Sequence, residues 1–297
     1  MRIAVIVNPV SGLGTASKIA AGARLDHVRR LASDAGVQVD VATTERAGHA
    51  AELAAQFVAR GCPRIIAWGG DGTINEVAGP LIGSRTALGI VPAGSGDGLA
   101  RGLGLLRNAE AAFRAALTRP SKPVDAGIIG DHHFLNIGGI GFDAAVADAF
   151  NRRAKRGRHG YVPEALRCLL SYNCQSYEVR AEGVQADGPH FVIAFANGPQ
   201  YGSGVVVAPH ADPADGLLDM IVVSGGRPWR QVWRARRLAF RRMAAAEGVI
   251  RARVTSATIR GERMLGHVDG QTFECDGTVS VNVRPGAILL AGSTSLP

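Results

Sequence analysis

The sequence predicts an α/β protein with two parts, an N-terminal doubly wound parallel sheet and a C-terminal β-sandwich. Apolar runs alternate with helix-compatible runs up to about residue 125, which is the pattern of β–α–β units. Beyond that point, short β-like runs separated by glycine and proline turns predominate. The change follows Ser121-Lys122-Pro123, so we expect domains over 1–125 and 126–285, with 286–297 as a separate C-terminal segment.

The N-terminal part alternates between strand and helix patterns. The predicted strands are 3–7, 37–41, 64–68 and 88–91, and the predicted helices are 17–35, 49–60 and a third that begins at Ile74. Because parallel sheets bind ligands outside the carboxyl ends of their strands, the loops that follow these strands are the candidate binding region.

The first of these candidate loops is the string Gly69-Gly70-Asp71-Gly72-Thr73, between the third strand and its helix. A helix N-terminus presents unpaired N–H groups, and glycines let the backbone approach a phosphate closely. The Asp71 carboxylate would repel that phosphate unless a magnesium ion or a transferable proton intervenes. The alternative is an ordinary βα turn, but the whole string favours a phosphate site in which Asp71 has a chemical role.

A second glycine loop, 92–101, follows the fourth predicted strand and again precedes a helical run. Ser95 offers a hydroxyl group to a phosphate or to the nucleotide, and Arg101 is either a phosphate ligand or a surface charge. The strings typical of P-loop enzymes and of protein kinases are missing. The two loops indicate a nucleotide site of another class.

The composition limits the classes of binding partner and the cellular location that we expect. A formal net charge of +8 suits a nucleotide, a membrane surface or a nucleic acid, but no recognised nucleic-acid module is present. The four cysteines are scattered and no apolar run reaches about 18 residues, so we expect a cytoplasmic protein without a transmembrane helix. Basic runs at 152–159 and 230–242 suit either peripheral contact with the inner membrane face or a solvated surface.

The C-terminal part has the pattern of a β-sandwich interrupted by two helices. The predicted strands are 126–129, 133–137, 177–180, 191–195, 218–223, 257–260 and 279–283, and the predicted helices are 144–171 and 228–247.

Five strings, taken together and in order, resemble the diacylglycerol kinase catalytic family, which includes YegS-like lipid kinases and sphingosine kinases. The five strings are 8–12, 92–101, 138–143, 197–204 and 208–219. They accompany the Gly-Gly-Asp-Gly string, which the more distant NAD kinases share. The resemblance implies a kinase that transfers phosphate from ATP to a hydroxyl of a diacylglycerol- or sphingosine-like lipid at a membrane surface. It also implies that 286–297 returns to the first domain, and it leaves a homodimer open.

The resemblance further implies site residues. The implied nucleotide contacts are Asn8, Ser11, Thr44, Gly69, Gly70, Asp71, Gly72, Thr73, Asn75, Gly94, Ser95 and Gly96. The implied ligands of a structural Mg²⁺ are Asp215 by its carboxylate, and Asp212 and Leu217 largely by carbonyl oxygens. A hairpin turn with solvated aspartates is the alternative for that loop.

One departure from the family concerns catalysis. The family has a glutamate, proposed as the general base, at the position of Gln271, and an amide cannot accept the substrate's proton. Either Asp71 is the base, or Glu274 substitutes, or the protein is a catalytically weak nucleotide- or lipid-binding pseudokinase. A soluble NAD kinase is the rival enzyme. A second departure is Asp97, where the family usually has asparagine.

Overall fold

The computed structural model describes residues 2–11, 17–94, 97–105, 108–152, 167–169, 171–201, 206–226 and 248–293. The chain divides into two compact units. Unit 1 consists of Met1–Val124 and Gly286–Pro297, and unit 2 consists of Asp125–Pro285.

Unit 1 is built on a parallel sheet, as the sequence predicted. Its strands are β1 (Arg2–Val7), β2 (Gln38–Thr43), β3 (Arg64–Gly69) and β4 (Ala87–Pro92), in the order β2-β1-β3-β4. The last residues of β13 (Gln271–Ala291) add a further parallel strand, because Leu289–Ala291 pair with Ala87–Gly89 of β4. Apolar residues bury β1 on both sides, which explains its uninterrupted hydrophobic run.

Helices cover this sheet. They are α1 (Ser17–Asp34), α2 (His49–Ala59), α3 (Asp71–Leu81), α4 (Gly98–Gly102) and α5 (Ala109–Thr118). Helices α1 and α5 contact each other, as do α2 and α3. Helix α3 begins at Asp71, three residues earlier than its apolar pattern indicated, because extended Gly70 (φ −85°, ψ 176°) is already its N-cap.

Unit 2 is an antiparallel β-sandwich that also contains α6 (Phe142–Asn151). Its strands are β5 (Ser121–Ile129), which starts at the end of unit 1, β6 (His132–Phe134), β7 (Ile137–Gly141), β8 (Gln175–Ala181), β9 (Val184–Ala196), β10 (Leu218–Ser224), β11 (Val249–Val254), β12 (Ser256–Val268) and the first part of β13. The long strands β9 and β12 each pair with both β7 and β8. This pairing closes the strands around a core that includes Phe134, Phe195 and Met220.

In unit 2, one predicted strand is wrong and one strand was missed. The two predicted helices lie partly or wholly outside the described residues. The predicted strand 133–137 is two strands, because Leu135 and Asn136 between β6 and β7 donate their N–H groups to the Asp269 carboxylate instead of continuing a ladder. Strand β11 was not predicted, although Ile250, Ala252 and Val254 alternate with Arg251 and Arg253 as in a half-buried strand. Helix α6 forms the first part of the predicted helix 144–171, whereas 153–166 and the predicted helix 228–247 lie outside the described residues.

Within the described residues, no helix has both the length and the apolar character needed to cross a bilayer.

Candidate functional site

The carboxyl ends of β1, β2 and β3 bring several predicted nucleotide residues to one edge of the unit 1 sheet. Asn8, directly after β1, donates its backbone N–H to the Trp68 carbonyl of β3 at 2.9 Å. Its side-chain amide donates to the Thr73 hydroxyl at 2.8 Å. Thr44, directly after β2, donates its N–H to the Val7 carbonyl at 3.0 Å. Asn8, Thr44 and Thr73 therefore lie together at the edge where parallel sheets bind ligands.

An arginine that sequence reasoning missed holds the loop after β1. Arg24 of α1 donates to the Asn8 carbonyl at 2.8 Å, to the Ser11 carbonyl at 2.7 Å and to the Ser11 hydroxyl at 3.1 Å. Because the guanidinium fixes both backbone and side chain, the loop from Asn8 to Ser11 has a defined conformation. No motif pointed to Arg24, since it lies 13 residues from Ser11 inside a helix.

Asp71 links the two glycine loops. Its carboxylate oxygens accept hydrogen bonds from the backbone N–H groups of Gly98 at 2.9 Å and Leu99 at 3.1 Å. These N–H groups belong to the first turn of α4, where unpaired donors stabilise negative charge. The carboxylate of the first loop therefore has a fixed orientation that depends on the second loop.

Glycine is required where the two loops touch. A Cβ on Gly94 would lie 3.0 Å from the Gly70 Cα and 3.0 Å from Asp97 Oδ1. A Cβ on Gly69 would lie 2.6 Å from the Thr73 Cβ. The Ala93 N–H also donates to the Gly69 carbonyl at 2.8 Å, so the loops are in direct backbone contact. Gly72 and the buried Asn75 lie in the first turns of α3, while Ser95 and Gly96 lie outside the described residues.

Asp97, where the sequence departs from the family pattern, has a structural role that an asparagine could also fill. Asp97 has a left-handed backbone (φ 46°), which asparagine and aspartate tolerate better than other side chains. Its Oδ1 accepts a hydrogen bond from the Gly94 N–H at 2.8 Å, which closes the second glycine loop. An aspartate can make this bond as well as an asparagine can.

In unit 2, the strings 138–143 and 197–204 meet in a buried polar cluster that the sequence did not predict. The Asp143 side chain, only 11% exposed, accepts hydrogen bonds at Oδ2 from the Tyr201 hydroxyl at 2.7 Å and from His267 Nε2 at 3.1 Å. Its Oδ1 accepts from the Ala144 N–H at 2.9 Å, in the first turn of α6. A Cβ on Gly139 would lie 2.9 Å from Asp143 Oδ2, so this glycine makes room for the carboxylate.

The surroundings of Asp143 favour its ionised form. Burial by itself raises the pKa of a carboxyl group. Here the electrostatic attraction of His267, together with hydrogen bonds from His267, Tyr201 and the Ala144 N–H, outweighs burial and holds the pKa of Asp143 below its ordinary value. The cluster connects three segments of the chain through one carboxylate.

The turn between β12 and β13 leads into Gln271 and Glu274, the residues considered for the general base. Asp269 (φ 50°) and Gly270 (φ 87°) form the turn, and the Asp269 carboxylate accepts hydrogen bonds from the N–H groups of Leu135, Asn136 and Ile137. Gln271 pairs with Val268, and Glu274 pairs with Leu265. Since side chains alternate along a strand, Gln271 and exposed Glu274 point to opposite faces. The strand geometry therefore gives no support to Glu274 as a substitute for Gln271.

Two buried amide oxygens lie near the loop that begins at Asn197. Asn197 uses its amide nitrogen to donate to the carbonyls of Asp125 and Leu135, and Asn136 donates to the Gln200 carbonyl. The Oδ1 atoms of Asn136 and Asn197 are buried acceptors without a donor within the described part of the chain. Such acceptors suit a hydroxyl group or a water molecule.

The loop that the resemblance assigns to Mg²⁺ is already closed by protein groups. Asp212 Oδ1 accepts from the Ala214 N–H at 3.0 Å, and Asp215 Oδ1 accepts from the Leu217 N–H at 2.9 Å. Asp215 Oδ2 forms an ion pair with the Arg253 guanidinium. Across the described residues, no three His, Cys, Asp or Glu side chains form a group that could hold a metal ion. Both oxygens of Asp215, the carboxylate ligand in the implied set with Asp212 and Leu217, are therefore already engaged by protein groups, which disfavours a metal ion there.

The family comparisons agree with both units. A model of the diacylglycerol kinase catalytic domain matches residues 2–129, and a model of the YegS C-terminal NAD kinase beta sandwich-like domain matches residues 137–292.

Individual relatives are named as lipid kinases or diacylglycerol kinases. "Probable lipid kinase YegS-like" of Pseudomonas putida is 30% identical over 89% of this chain and 89% of its own length. "Diacylglycerol kinase" of Mycobacterium tuberculosis is 33% identical over 74% of this chain and 72% of its length. A YegS-like relative of Chromohalobacter salexigens is 37% identical over 64% of this chain, and the match spans 63% of that relative.

A solved structure shares the fold. A diacylglycerol kinase from Bacillus anthracis has a TM-score of 0.73 with 20% identity, covering 100% of this chain and 98% of that one. The doubly wound parallel sheet, the β-sandwich and the family models together confirm the resemblance: the chain belongs to the diacylglycerol kinase catalytic domain family, with the YegS type of C-terminal β-sandwich.

Proposed function

We propose that the protein is a lipid kinase that transfers the γ-phosphoryl group of ATP to a hydroxyl of a diacylglycerol- or sphingosine-like lipid. The observation that carries the proposal is the pair of glycine loops in backbone contact at the edge of the parallel sheet, joined by the Asp71 carboxylate. Glycine loops at the N-termini of helices suit phosphate groups, because the backbone can approach the phosphate closely. Family membership supports a kinase with a lipid acceptor.

Phosphoryl transfer depends mainly on positioning and on the neutralisation of charge. In this proposal the loops around Gly70 and Gly94 hold the phosphates of ATP, which enters as its magnesium complex. The fixed carboxylate of Asp71 either orients that complex or accepts the proton of the lipid hydroxyl. We assign the base to Asp71, because Gln271 cannot accept a proton and Glu274 points to the other face of β13.

We place the hydroxyl-bearing end of the lipid beside the loop that begins at Asn197. The buried amide oxygens of Asn136 and Asn197 support this placement, since a lipid hydroxyl is a suitable donor for them. The net charge of +8 supports binding at an anionic membrane surface. The basic runs proposed for that contact, 152–159 and 230–242, lie outside the described residues except for Arg152, which pairs with Asp148.

The decisive experiment uses the purified full chain, γ-labelled ATP and a total lipid extract in mixed vesicles. We expect the label in a lipid product, and identification of that product names the acceptor. Label in NADP when NAD replaces the lipid would favour a soluble NAD kinase instead. Binding of ATP and lipid without phosphoryl transfer would favour a pseudokinase, the hypothesis suggested by Gln271.

A further inference from the structure

We propose that Arg253 occupies the structural place that the family pattern gives to Mg²⁺, so that the loop from Asp212 to Asp219 closes without a metal ion. The inference concerns the folding of unit 2 and does not depend on the proposed kinase activity.

The ion pair between Asp215 and Arg253 carries the inference. Asp215 is the one residue to which the resemblance assigns a carboxylate ligand, and both of its oxygens are engaged. Oδ1 accepts the Leu217 N–H at 2.9 Å, and Oδ2 binds the Arg253 guanidinium. A divalent cation at this carboxylate would have to displace the guanidinium or lie beside its positive charge.

Arg253 also lies across the sheet ladder from a second carboxylate, Asp219 near the start of β10. In the antiparallel ladder of β10 and β11, Arg253 lies directly opposite Asp219. Side chains of such cross-strand pairs are neighbours, and opposite charges stabilise the pair. Arg253 is thus ion-paired with Asp215 and is the cross-strand neighbour of Asp219, so its positive charge lies near both carboxylates.

The backbone of the loop is closed by a third aspartate. The Gly216 N–H donates to Asp125 Oδ2 at 2.7 Å, and the Asp125 N–H donates to the Pro213 carbonyl at 2.7 Å. Mg²⁺ requires near-octahedral oxygen ligands at about 2.0–2.1 Å, so it would need carbonyls turned toward one point. Here Asp125 and Arg253 hold the two sides of the turn in place of a central ion.

The test is thermal unfolding of the full chain without ATP or lipid, in EDTA and in a titration with MgCl₂. We expect the wild-type Tm to be the same in both. Arg253→Gln should lower the Tm by about 2–4 °C, because it removes a half-exposed ion pair. That variant should also gain a saturable increase of Tm with MgCl₂, since Asp215 is then available to the ion. The double variant Asp215→Asn with Arg253→Gln should lose the gain.

Arg180→Gln is the matched control. Arg180 forms a comparably exposed ion pair with Asp187 in the same unit, so its loss should lower the Tm without creating a Mg²⁺ response. Arg253→Lys keeps the positive charge and should resemble the wild type. This variant provides the comparison if Arg253→Gln does not fold. A Mg²⁺-dependent Tm in the wild type that Asp215→Asn abolishes would overturn the proposal. So would an Arg253→Gln variant that folds but gains no Mg²⁺ response.

Discussion

Single aspartates determine where several backbone segments of this protein meet. Asp71, Asp97 and Asp269 each accept hydrogen bonds from backbone N–H groups, and for Asp71 and Asp269 the partner segments are distant in sequence. A carboxylate can accept from several donors at once, whereas an amide oxygen beside an NH₂ group accepts fewer. Acid-to-amide substitutions therefore test these residues with little change of shape.

Asp71→Asn should reduce the rate of phosphoryl transfer by at least about a hundredfold, the usual scale for a lost acid–base group. The amide cannot take the proton, and its NH₂ group would face the N–H of Gly98 or Leu99. The measurement is kcat with the lipid found in the extract assay. Glu52→Gln, which removes an exposed carboxylate of the same unit, is the control and should keep full activity. Near-normal turnover of Asp71→Asn would remove Asp71 from the mechanism.

The lowered pKa of Asp143 predicts that the stability of the protein depends on pH. Its pKa is lower in the folded protein than in the unfolded chain, so the ionised form favours folding. This contribution is complete above the ordinary aspartate pKa of about 4 and is lost as the pH falls through the lowered value of the folded state.

Urea unfolding between neutral and acid pH should therefore show a shallower loss of stability in Asp143→Asn than in the wild type. Glu262→Gln, at an exposed position of β12, should follow the wild-type curve. Parallel curves for Asp143→Asn and the wild type would mean that this carboxyl does not contribute to acid unfolding.

The sequence revealed site residues only where their neighbours in the chain carried the signal. The Gly69–Thr73 string was recognisable because strand, turn and helix start are consecutive. The partners of Asp143 lie 58 residues away at Tyr201 and 124 residues away at His267, so no local pattern joined them. Arg253 was missed for the same reason, since it meets Asp215 across 38 residues.

At the scale of helices and strands, periodicity identified most elements, and distant polar groups decided the exceptions. The apolar run 133–137 looked like one strand, yet Asp269, 134 residues beyond Leu135, ends β6 early. Strand β11 has the alternation of a half-buried strand but only six residues, and its arginines bind Asp215 and the Val207 carbonyl. Tertiary partners of this kind override local preference.

The contact between the two glycine loops predicts the effect of one methyl group. Gly94→Ala should raise the Kd for ATP by about tenfold, or ~1.4 kcal/mol, because its Cβ would push against the Gly70 backbone. Isothermal titration calorimetry measures the change. Gly83→Ala is the control, since its positive φ (77°) brings strain while no atom lies within 4 Å of the new Cβ. Equal ATP affinity in all folded variants would place the nucleotide elsewhere.

For the whole molecule, the positive charge predicts salt-sensitive membrane binding. Cosedimentation with anionic vesicles should fall as salt rises, because screening shortens the range of charge attraction to about 8–10 Å near physiological ionic strength. Replacing Arg236, Arg237, Arg241 and Arg242 with Gln should weaken binding further. Uncharged phosphatidylcholine vesicles are the control, and binding to anionic vesicles that does not respond to salt would contradict the electrostatic explanation.

Strand β13 starts in unit 2, and its last residues complete the parallel sheet of unit 1 beside β4. A growing chain leaves the ribosome from its N-terminus, so β1 to β4 emerge long before Leu289–Ala291. Until Leu289–Ala291 have emerged, one side of β4 lacks its permanent neighbour, and an unpaired strand edge invites association with other chains. The first unit to be translated is therefore among the last to be finished, and nascent chains halted before Gly286 should depend on chaperones to stay in solution.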